Sequence, residues 1–291
     1  MTHEHSHTPG HGAHHGPAHV ADSDSQADIL DLDAEVLAEH IAEITAQLPT
    51  QRAPREILDL GCGTGTGTFA LLSRFPEAHV TAVDFSAEHL HRLRQKASDE
   101  GVRERVRTVE ADLDAARWPD LGHPELVWAS ASMHHMADPA RALRTVHDIL
   151  APGGLFAVVE LAGFPRFLPE DAPADRPGLE ERCHAAGERH HAEHMPHRGA
   201  DWGPMLTAAG FALEGERTVT VDIEGSGDPA VGRYALSSLQ RLRQSAVDEL
   251  SALDRAALDR LLDTDGPHSI LRRRDLVVRT ERTVWAARRE S

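Results

Sequence analysis

The sequence predicts an α/β fold built on a doubly wound, mostly parallel sheet. Apolar runs of strand length alternate with helical patterns between residues 56 and 161. Helical connections of this kind join parallel strands and cover both faces of the sheet. Acidic or hydroxyl side chains follow several of the runs. In such sheets ligands bind beyond the carboxyl ends of the strands, so these side chains predict a site at that edge.

The elements of the predicted sheet follow one another in regular order. Ser86 is suited to N-cap the helix after the second strand, and Asp138 followed by Pro139 opens the helix after the fourth. A tight turn at residues 151–154 leads into the fifth strand. The predicted strands are residues 56–60, 79–85, 105–111, 124–132 and 155–161.

The remaining segments divide the chain further. Residues 1–27 form a histidine-rich tail without a periodic apolar face, and we expect this tail to be disordered. An N-terminal helix is predicted within residues 28–50, ahead of a core at 51–163. Residues 164–200 interrupt the alternation and predict a lid or insertion. The C-terminal part, 201–291, contains a helix (201–211), a strand (212–223), helical patterns (229–262) and a last strand (282–288).

Composition narrows the classes of function. The 291 residues carry a formal net charge of −17 with neutral histidines, which argues against nucleic acid as a partner. No apolar run reaches the roughly 18 residues of a membrane span, and no secretory signal is recognisable. Two cysteines do not make a disulfide framework, so a cytoplasmic location is expected. The oligomeric state is not predicted.

A glycine-rich loop follows the first strand in the stretch "EILDLGCGTGTG" (56–67). A P-loop requires a lysine after the glycines, and none is present. Residues 65–70 match a dinucleotide pattern, but they lie inside the predicted helix. Gly61, Gly63 and Gly65 lie at the strand end, behind Asp59, whereas Gly67 is predicted to enter the helix. Glycine at these positions permits close approach of backbone to a ligand.

Several motifs in order resemble those of the class I S-adenosylmethionine-dependent methyltransferases. "DLGCGTG" (59–65) resembles the first motif of that family, and "VTAVDFS" (80–86) resembles the second. "EADLD" (110–114) is similar to the segment after strand three. "ELVWASASMHHM" (125–136) and "ILAPGGLFAVVE" (149–160) are similar to the motifs around strands four and five. The resemblance covers residues 56–161 closely and the C-terminal part more loosely.

That resemblance implies a Rossmann-like sheet with an antiparallel C-terminal strand, and S-adenosylmethionine as cofactor. Asp84 would bind the ribose diol, and Asp112 and Leu113 would frame the adenine. The residues implied in cofactor binding are Asp59, Gly61, Cys62, Gly63, Gly65, Asp84, Phe85, Asp112, Leu113 and Ser130. The reaction implied is transfer of a methyl group to a small-molecule acceptor by direct in-line displacement.

Histidines after the fourth strand are candidates for acting on the acceptor. His134 and His135 could remove a proton or donate a hydrogen bond, and they could equally be structural residues of a turn. Glu160, at the end of the fifth strand, could orient a substrate or be a solvated strand end. Residues 183–197 contain further histidines at helical spacing, for which acceptor contact, metal binding and a plain polar helix are all open.

Two other functions are compatible with the sequence. A nicotinamide-dependent oxidoreductase would have a similar sheet and would use a catalytic tyrosine and lysine or an equivalent pair. The only tyrosine, Tyr234, however, lies far in sequence from the only lysine, Lys96, and within a predicted helix. A metal-binding or metal-responsive protein is suggested by the histidines of the tail, at positions 3, 5, 7, 11, 14, 15 and 19.

Overall fold

The structure of the protein is a computed structural model that describes residues 17–225 and 227–290. Side chains are described from residue 26 onward, except at positions 189–191, 193 and 194. Most of the histidine-rich tail therefore lies outside the described residues. The same is true of the side chains of His190, His191 and His194.

One seven-stranded sheet organises the described chain, in the order β3-β2-β1-β4-β5-β7-β6. Strands β1 to β5 are parallel, and β7 lies antiparallel between β5 and β6. This confirms the predicted doubly wound sheet with an antiparallel C-terminal strand. The strands are β1 (Glu56–Leu60), β2 (His79–Asp84), β3 (Val106–Glu110), β4 (Leu126–Ser130), β5 (Leu155–Leu161), β6 (Ala212–Glu224) and β7 (Val277–Arg288).

Helices cover both faces of the sheet. They are α1 (Pro17–Val36), α2 (Ala38–Ala46), α3 (Thr66–Arg74), α4 (Ala87–Asp99), α5 (Pro139–Ile149), α6 (Leu179–His194), α7 (Trp202–Ala208), α8 (Pro229–Ala246) and α9 (Ala252–Leu262), with 3-10 helices at Arg103–Arg105, Met133–His135 and Ile270–Arg272. The predicted caps are present, because Ser86 accepts the N–H of His89 and Asp138 accepts that of Arg141. Among the described residues no helix is both long enough and apolar enough to cross a membrane.

The alternation of side chains along the central strands separates two cores. Ile57 and Trp128 pack on the face covered by α2 and α3, in a core that also includes residues of α6, α8 and α9. Leu58 and Val127 point the other way, into a core with α5 and α7. Every second residue of a strand faces the same side, so most positions of these strands are apolar because helices cover both sides.

The N-terminal segment differs from the expectation. Helix α1 begins at Pro17, inside the tail predicted to be disordered, and the predicted helix of residues 28–50 is divided at Leu37. Proline suits the first turn of a helix. Ala27 is fully buried, so contact with the rest of the protein stabilises this helix although its sequence lacks a periodic apolar face. The break lets α1 pack against α4 and α8 while α2 packs against α3.

The segment predicted as a lid, residues 164–200, contains α6 as its main element. Leu179 and Cys183 of this helix are fully buried, and the helix packs against α8 and α9. Its role as a lid stays a prediction, as do the domain boundaries.

Candidate functional site

The glycine loop lies at the carboxyl end of β1, as predicted. Gly61, Gly63 and Gly65 have φ angles of 65°, 52° and 102°. These values lie in the left-handed region that side-chain-bearing residues rarely adopt. A Cβ on Gly61 would stand 2.4 Å from Ser132 Cβ, and one on Gly65 would stand 2.6 Å from Phe69. The path of the loop therefore requires glycine at these two positions for packing as well as for backbone conformation.

The fourth glycine of the stretch has a packing role. Gly67 lies in the first turn of α3, and a Cβ there would meet Trp128 Nε1 at 2.4 Å. Gly67 thus lets α3 lie directly on the sheet, which agrees with its predicted place at the helix entrance.

Asp84 connects the end of β2 to the loop. Its Oδ2 accepts the N–H of Gly63 at 2.9 Å, and its Oδ1 accepts the N–H of Ser86 at 2.9 Å. The same Oδ1 lies 3.2 Å from Nδ1 of His89, which is also buried. The next residue, Phe85, has 72% of its surface exposed, which is unusual for a large aromatic side chain. The Asp84 carboxylate thus joins the glycine loop to the end of β2, next to an exposed aromatic side chain.

Asp59 and Cys62 lie beneath the loop. Asp59 is buried and accepts the hydroxyl of Thr68 at 2.7 Å. Burial is the main cause that raises the pKa of Asp59 to about 7, and the nearby Asp84 adds to it. The N–H of Cys62 donates to the carbonyl of Val83, and burial raises the pKa of its thiol well above the usual range. Both residues are buried and contact residues next to the loop. Their role in cofactor binding stays a prediction.

The buried carboxyl group of Asp59 predicts a specific dependence of stability on pH. Its pKa in the folded protein lies above the ordinary value, so stability from this group is full below about pH 4 and is lost as pH rises through about 7. Asp59→Asn is neutral at every pH. We expect the unfolding free energy of this variant minus that of wild type to be about 2–3 kcal/mol larger at pH 8 than at pH 5. Urea denaturation of both proteins at the two pH values measures this difference. The same difference at pH 5 and pH 8 would contradict the prediction.

The other residues implied in cofactor binding flank the loop on either side. Asp112, exposed just beyond β3, accepts the N–H of Asp114 at 2.8 Å. Leu113 beside it is buried, and its carbonyl accepts Nε1–H of Trp118. Ser130 ends β4, the strand next to β1 on the opposite side from β2. The strand order therefore brings all of these residues to one edge of the sheet.

The turn after β4 is held by Glu160, a residue that the sequence left open between two roles. Its Oε1 accepts the N–H groups of Ser132 (3.1 Å), Met133 (2.7 Å) and His134 (3.3 Å). Its Oε2 lies 2.6 Å from Nδ1 of His134. With 3% of its surface exposed, Glu160 is not a solvated strand end. The signal in the sequence was an acidic residue closing an otherwise apolar strand.

His135 lies beside this buried pair. Its ring centroid is 4.2 Å from that of His134, and the residue is exposed. Desolvation, followed by the neighbouring His134 and Arg241, lowers the pKa of His135 to about 4. His135 is therefore neutral at physiological pH. The structure brings both predicted histidines to the carboxyl end of β4, one buried and one facing solvent.

Helix α1 crosses this edge of the sheet, a feature that sequence reasoning missed. Leu30 Cδ1 lies 3.1 Å from the position that a Cβ of Gly63 would take. On one side Asp31 pairs with Lys96 of α4 at 2.5 Å. On the other side Asp33 pairs with Arg282 of β7 at 2.8 Å. The helix therefore covers the glycine loop.

Comparison with known proteins agrees with this geometry. A family described as a methyltransferase domain matches residues 57–154. The malonyl-[acyl-carrier protein] O-methyltransferase of Halorhodospira halophila is 33% identical over 220 residues, which cover 70% of this chain and 69% of that protein. The chain belongs to the class I S-adenosylmethionine-dependent methyltransferases.

Other relatives match a shorter part of this chain. The trans-aconitate 2-methyltransferase of Methylobacterium radiotolerans is 37% identical over 117 residues, which cover 40% of this chain. Those residues span 42% of the relative, so the match is to less than half of its length. A protein from Bacillus halodurans C-125 shares the fold, with a TM-score of 0.54, 19% identity and coverage of 86% of this chain and 99% of its own.

The contacts of Tyr234 and Lys96 do not favour the oxidoreductase alternative. The hydroxyl of Tyr234 donates to Asp33 at 2.6 Å, and burial raises the pKa of this phenol well above its usual range. Lys96 pairs with a different carboxylate, Asp31. The two residues are thus committed to separate contacts with α1.

Metal binding, left open for residues 183–197 and for the tail, gains no support from the described side chains, which contain no group of three or more potential ligands. In residues 183–197, Cys183 and His184 are buried. Most of the tail histidines lie outside the described residues, so a metal role for the tail stays a hypothesis.

Proposed function

We propose that this methyltransferase binds S-adenosylmethionine across the glycine loop and transfers the methyl group to a small-molecule acceptor. The observation that carries the proposal is the convergence of the loop, the Asp84 carboxylate and the exposed Phe85 at adjoining strand ends. The net charge of −17 supports an acceptor other than nucleic acid. The names of two relatives, trans-aconitate 2-methyltransferase and malonyl-[acyl-carrier protein] O-methyltransferase, supply carboxylic acids as alternative acceptors to be tested.

The residues present fit this cofactor. The positive φ angles of Gly61 and Gly63 turn backbone rather than side chains toward the edge of the sheet. Asp84 is a carboxylate of the type that binds ribose hydroxyls at the end of a second strand. Phe85 offers an aromatic face on which a base can stack, and this contact would explain its exposure. The cofactor has no phosphate, which agrees with the absence of a lysine after the loop.

The chemistry of the reaction makes positioning the main task of the protein. S-adenosylmethionine supplies a methyl group on a sulfonium sulfur, already activated for displacement. Holding an acceptor in line with that carbon provides much of the rate acceleration. The turn at residues 132–135 adjoins the loop, because Ser132 lies against Gly61 and donates its hydroxyl to the carbonyl of Leu60 at 2.8 Å. The turn that carries His134 and His135 therefore adjoins the glycine loop, which supports a role for these residues on the acceptor side.

Isothermal titration calorimetry with S-adenosylhomocysteine and with NADH tests the cofactor. We expect binding of S-adenosylhomocysteine and no measurable binding of NADH. Binding of NADH alone would overturn the proposal and favour an oxidoreductase. Transfer of radiolabelled methyl groups to metabolite pools would then identify the acceptor.

Truncating Phe85 is a specific test of the adenine contact. Stacking of a base on an aromatic side chain contributes about 1–3 kcal/mol, so Phe85→Ala should weaken S-adenosylhomocysteine binding about tenfold. Because Phe85 is 72% exposed, the variant should keep wild-type stability. Leu253→Ala is a matched control, since Leu253 is 68% exposed and lies on α9. Equal affinities of the two variants would remove Phe85 from the proposed site.

A further inference from the structure

A cavity lies between helix α9, the segment before α6 and the connection from α9 to β7. Its volume is about 220 Å³. Pockets for drug-sized ligands have about 300–1,000 Å³, so this cavity suits a smaller ligand. None of its lining residues belongs to the glycine loop, to the end of β2 or to the turn after β4, so it is separate from the proposed site of methyl transfer. The polar side chains that line the cavity are Asp175, Arg260, His268, Ser269, Arg272 and Arg273.

Basic side chains dominate the lining of this cavity. Arg260 comes from α9, whereas Arg272 and Arg273 come from the connection to β7. His268 adds an imidazole, and Asp175 is the one carboxylate among the described lining residues. The chain as a whole has a formal net charge of −17, so this cluster of positive charge stands against the general field of the protein. An anion bound between the arginines would relieve their mutual repulsion.

The arginines keep hydrogen-bonding capacity that their ion pairs do not use. Nη2 of Arg260 pairs with Asp175 at 2.5 Å, and Nη2 of Arg273 pairs with Asp275 at 2.6 Å. Nε of Arg273 is buried and has no hydrogen-bond partner among the described residues. The side chain of Arg272 makes no hydrogen bond or ion pair with the part of the chain that the structure describes. A buried N–H without an acceptor is unfavourable, and an anionic ligand would supply acceptors.

The arrangement of these groups favours a phosphoryl group over a carboxylate. A guanidinium presents its N–H groups in a planar fork, which fits either anion. A phosphoryl group carries three terminal oxygens and nearly two negative charges at neutral pH, so it can accept from several guanidinium groups at once. Here those groups belong to two different elements. Apolar surface from Pro173, Leu261 and Pro267 lines the same cavity, and the organic part of an ester can pack against it.

We propose that this cavity binds the phosphate monoester of a small organic molecule, at a site separate from methyl transfer. Arg272 and Arg273 donate to the phosphoryl oxygens from the connection before β7, and Arg260 faces the same anion from α9. The inference goes beyond the proposed function and does not depend on it. A ligand that binds only the folded protein stabilises it, so occupation of the cavity should also raise the temperature of unfolding.

Isothermal titration calorimetry of the full chain, in a phosphate-free buffer at neutral pH, tests the site. The probes are phenyl phosphate, glycerol 3-phosphate, inorganic phosphate and the dicarboxylate succinate. We expect one molecule of a monoester to bind per chain. Inorganic phosphate should bind more weakly because it lacks the organic part, and succinate more weakly still. Saturating S-adenosylhomocysteine should leave the binding of phenyl phosphate unchanged, because the two sites share no residue.

Two neighbouring arginines provide a variant and its matched control. Arg272 is exposed and has no ion pair in the described chain, so Arg272→Gln should fold normally. Loss of its charged hydrogen bonds should weaken the binding of phenyl phosphate about 10- to 100-fold. Arg274 is also exposed, but it does not line the cavity. Arg274→Gln changes the net charge by the same amount and should bind as wild type does. Phenyl phosphate should raise the unfolding temperature of this control more than that of Arg272→Gln.

Each contrary outcome overturns a defined part of the inference. Absence of binding by any phosphate probe would overturn the site, and equal weakening in Arg272→Gln and Arg274→Gln would reduce it to general attraction of charge. Succinate binding more tightly than phenyl phosphate would overturn the phosphoryl group, and inorganic phosphate binding as tightly would overturn the ester. Displacement of phenyl phosphate by S-adenosylhomocysteine would place the ligand at the cofactor site instead. Failure to bind S-adenosylhomocysteine would remove the proposed function and leave the phosphate titrations intact.

Discussion

Gly61→Ala is expected to destabilise the protein by roughly 2–5 kcal/mol and to abolish measurable binding of S-adenosylhomocysteine. The new Cβ would stand 2.4 Å from Ser132 Cβ, where no side chain fits without movement of the turn that carries His134. The φ angle of 65° adds the cost of a left-handed conformation for a residue with a side chain. Chemical denaturation and titration calorimetry measure the two effects.

Gly101→Ala separates the clash from the backbone strain. Gly101 has nearly the same φ angle, 69°, but a Cβ there would meet nothing within 4 Å. This control should lose only about 1–2 kcal/mol and should bind S-adenosylhomocysteine normally. If the two variants were equally stable and bound equally well, the close approach of the loop to Ser132 would have no role in either property.

Asp33→Ala should also be strongly destabilising, by about 3–5 kcal/mol. Both oxygens of Asp33 accept from Nη2 of Arg282, at 2.9 and 2.8 Å, and Tyr234 donates to the same carboxylate. The side chain of Arg282 is only 5% exposed, so removing Asp33 leaves a buried guanidinium without its charged partner. Urea denaturation at neutral pH measures the loss. A double variant, Asp33→Ala with Arg282→Met, should recover much of it because no buried charge then remains.

The matched control lies two residues further along the same helix. Glu35 pairs with Arg233 at 3.3 Å, and both side chains are more than half exposed. Exposed pairs contribute about 0–1 kcal/mol, so Glu35→Ala should be close to wild type in stability. A similar loss in both variants would mean that α1 is held by helix propensity or general charge, and that burial of Arg282 is not the cause.

The central strands could be predicted from sequence because their signals are local. The apolar runs at 56–60 and 155–161 are strands β1 and β5 with the same bounds. Apart from its acidic residues each strand is apolar, because helices cover both faces, and each is bounded by residues that favour turns. The caps at Ser86 and Asp138 depend on side chains within three residues of the backbone that they bind, so they too are readable in one dimension.

The site was predictable in its position but not in its contacts. The motifs place Asp59, Asp84 and His134 at strand ends, and the structure brings them to one edge of the sheet. Which way each side chain points depends on its neighbours in space. Asp59 turns under the loop to Thr68, while Glu160, 26 residues beyond His134 in the chain, orients its ring.

The covering of the site by α1 is the clearest case in which sequence reasoning failed. The helix has little apolar periodicity of its own in its first turns, and it is held by Asp31 and Asp33 through basic residues that lie 65 and 249 positions away. Such pairs leave no periodic pattern, because either partner alone resembles an ordinary surface charge.

The sequence by itself determined the order of strands and helices, the glycine loop at the end of β1 and the resemblance to methyltransferases. These depend on residues adjacent in the chain, whose hydrophobic period and turn preferences act locally. Only the tertiary structure decided that α1 closes this edge of the sheet, that Ser132 packs against Gly61, and that Glu160 holds the turn of His134 through three backbone N–H groups. These are contacts between distant segments, and their energies arise from burial and distance once the sheet has brought the segments together.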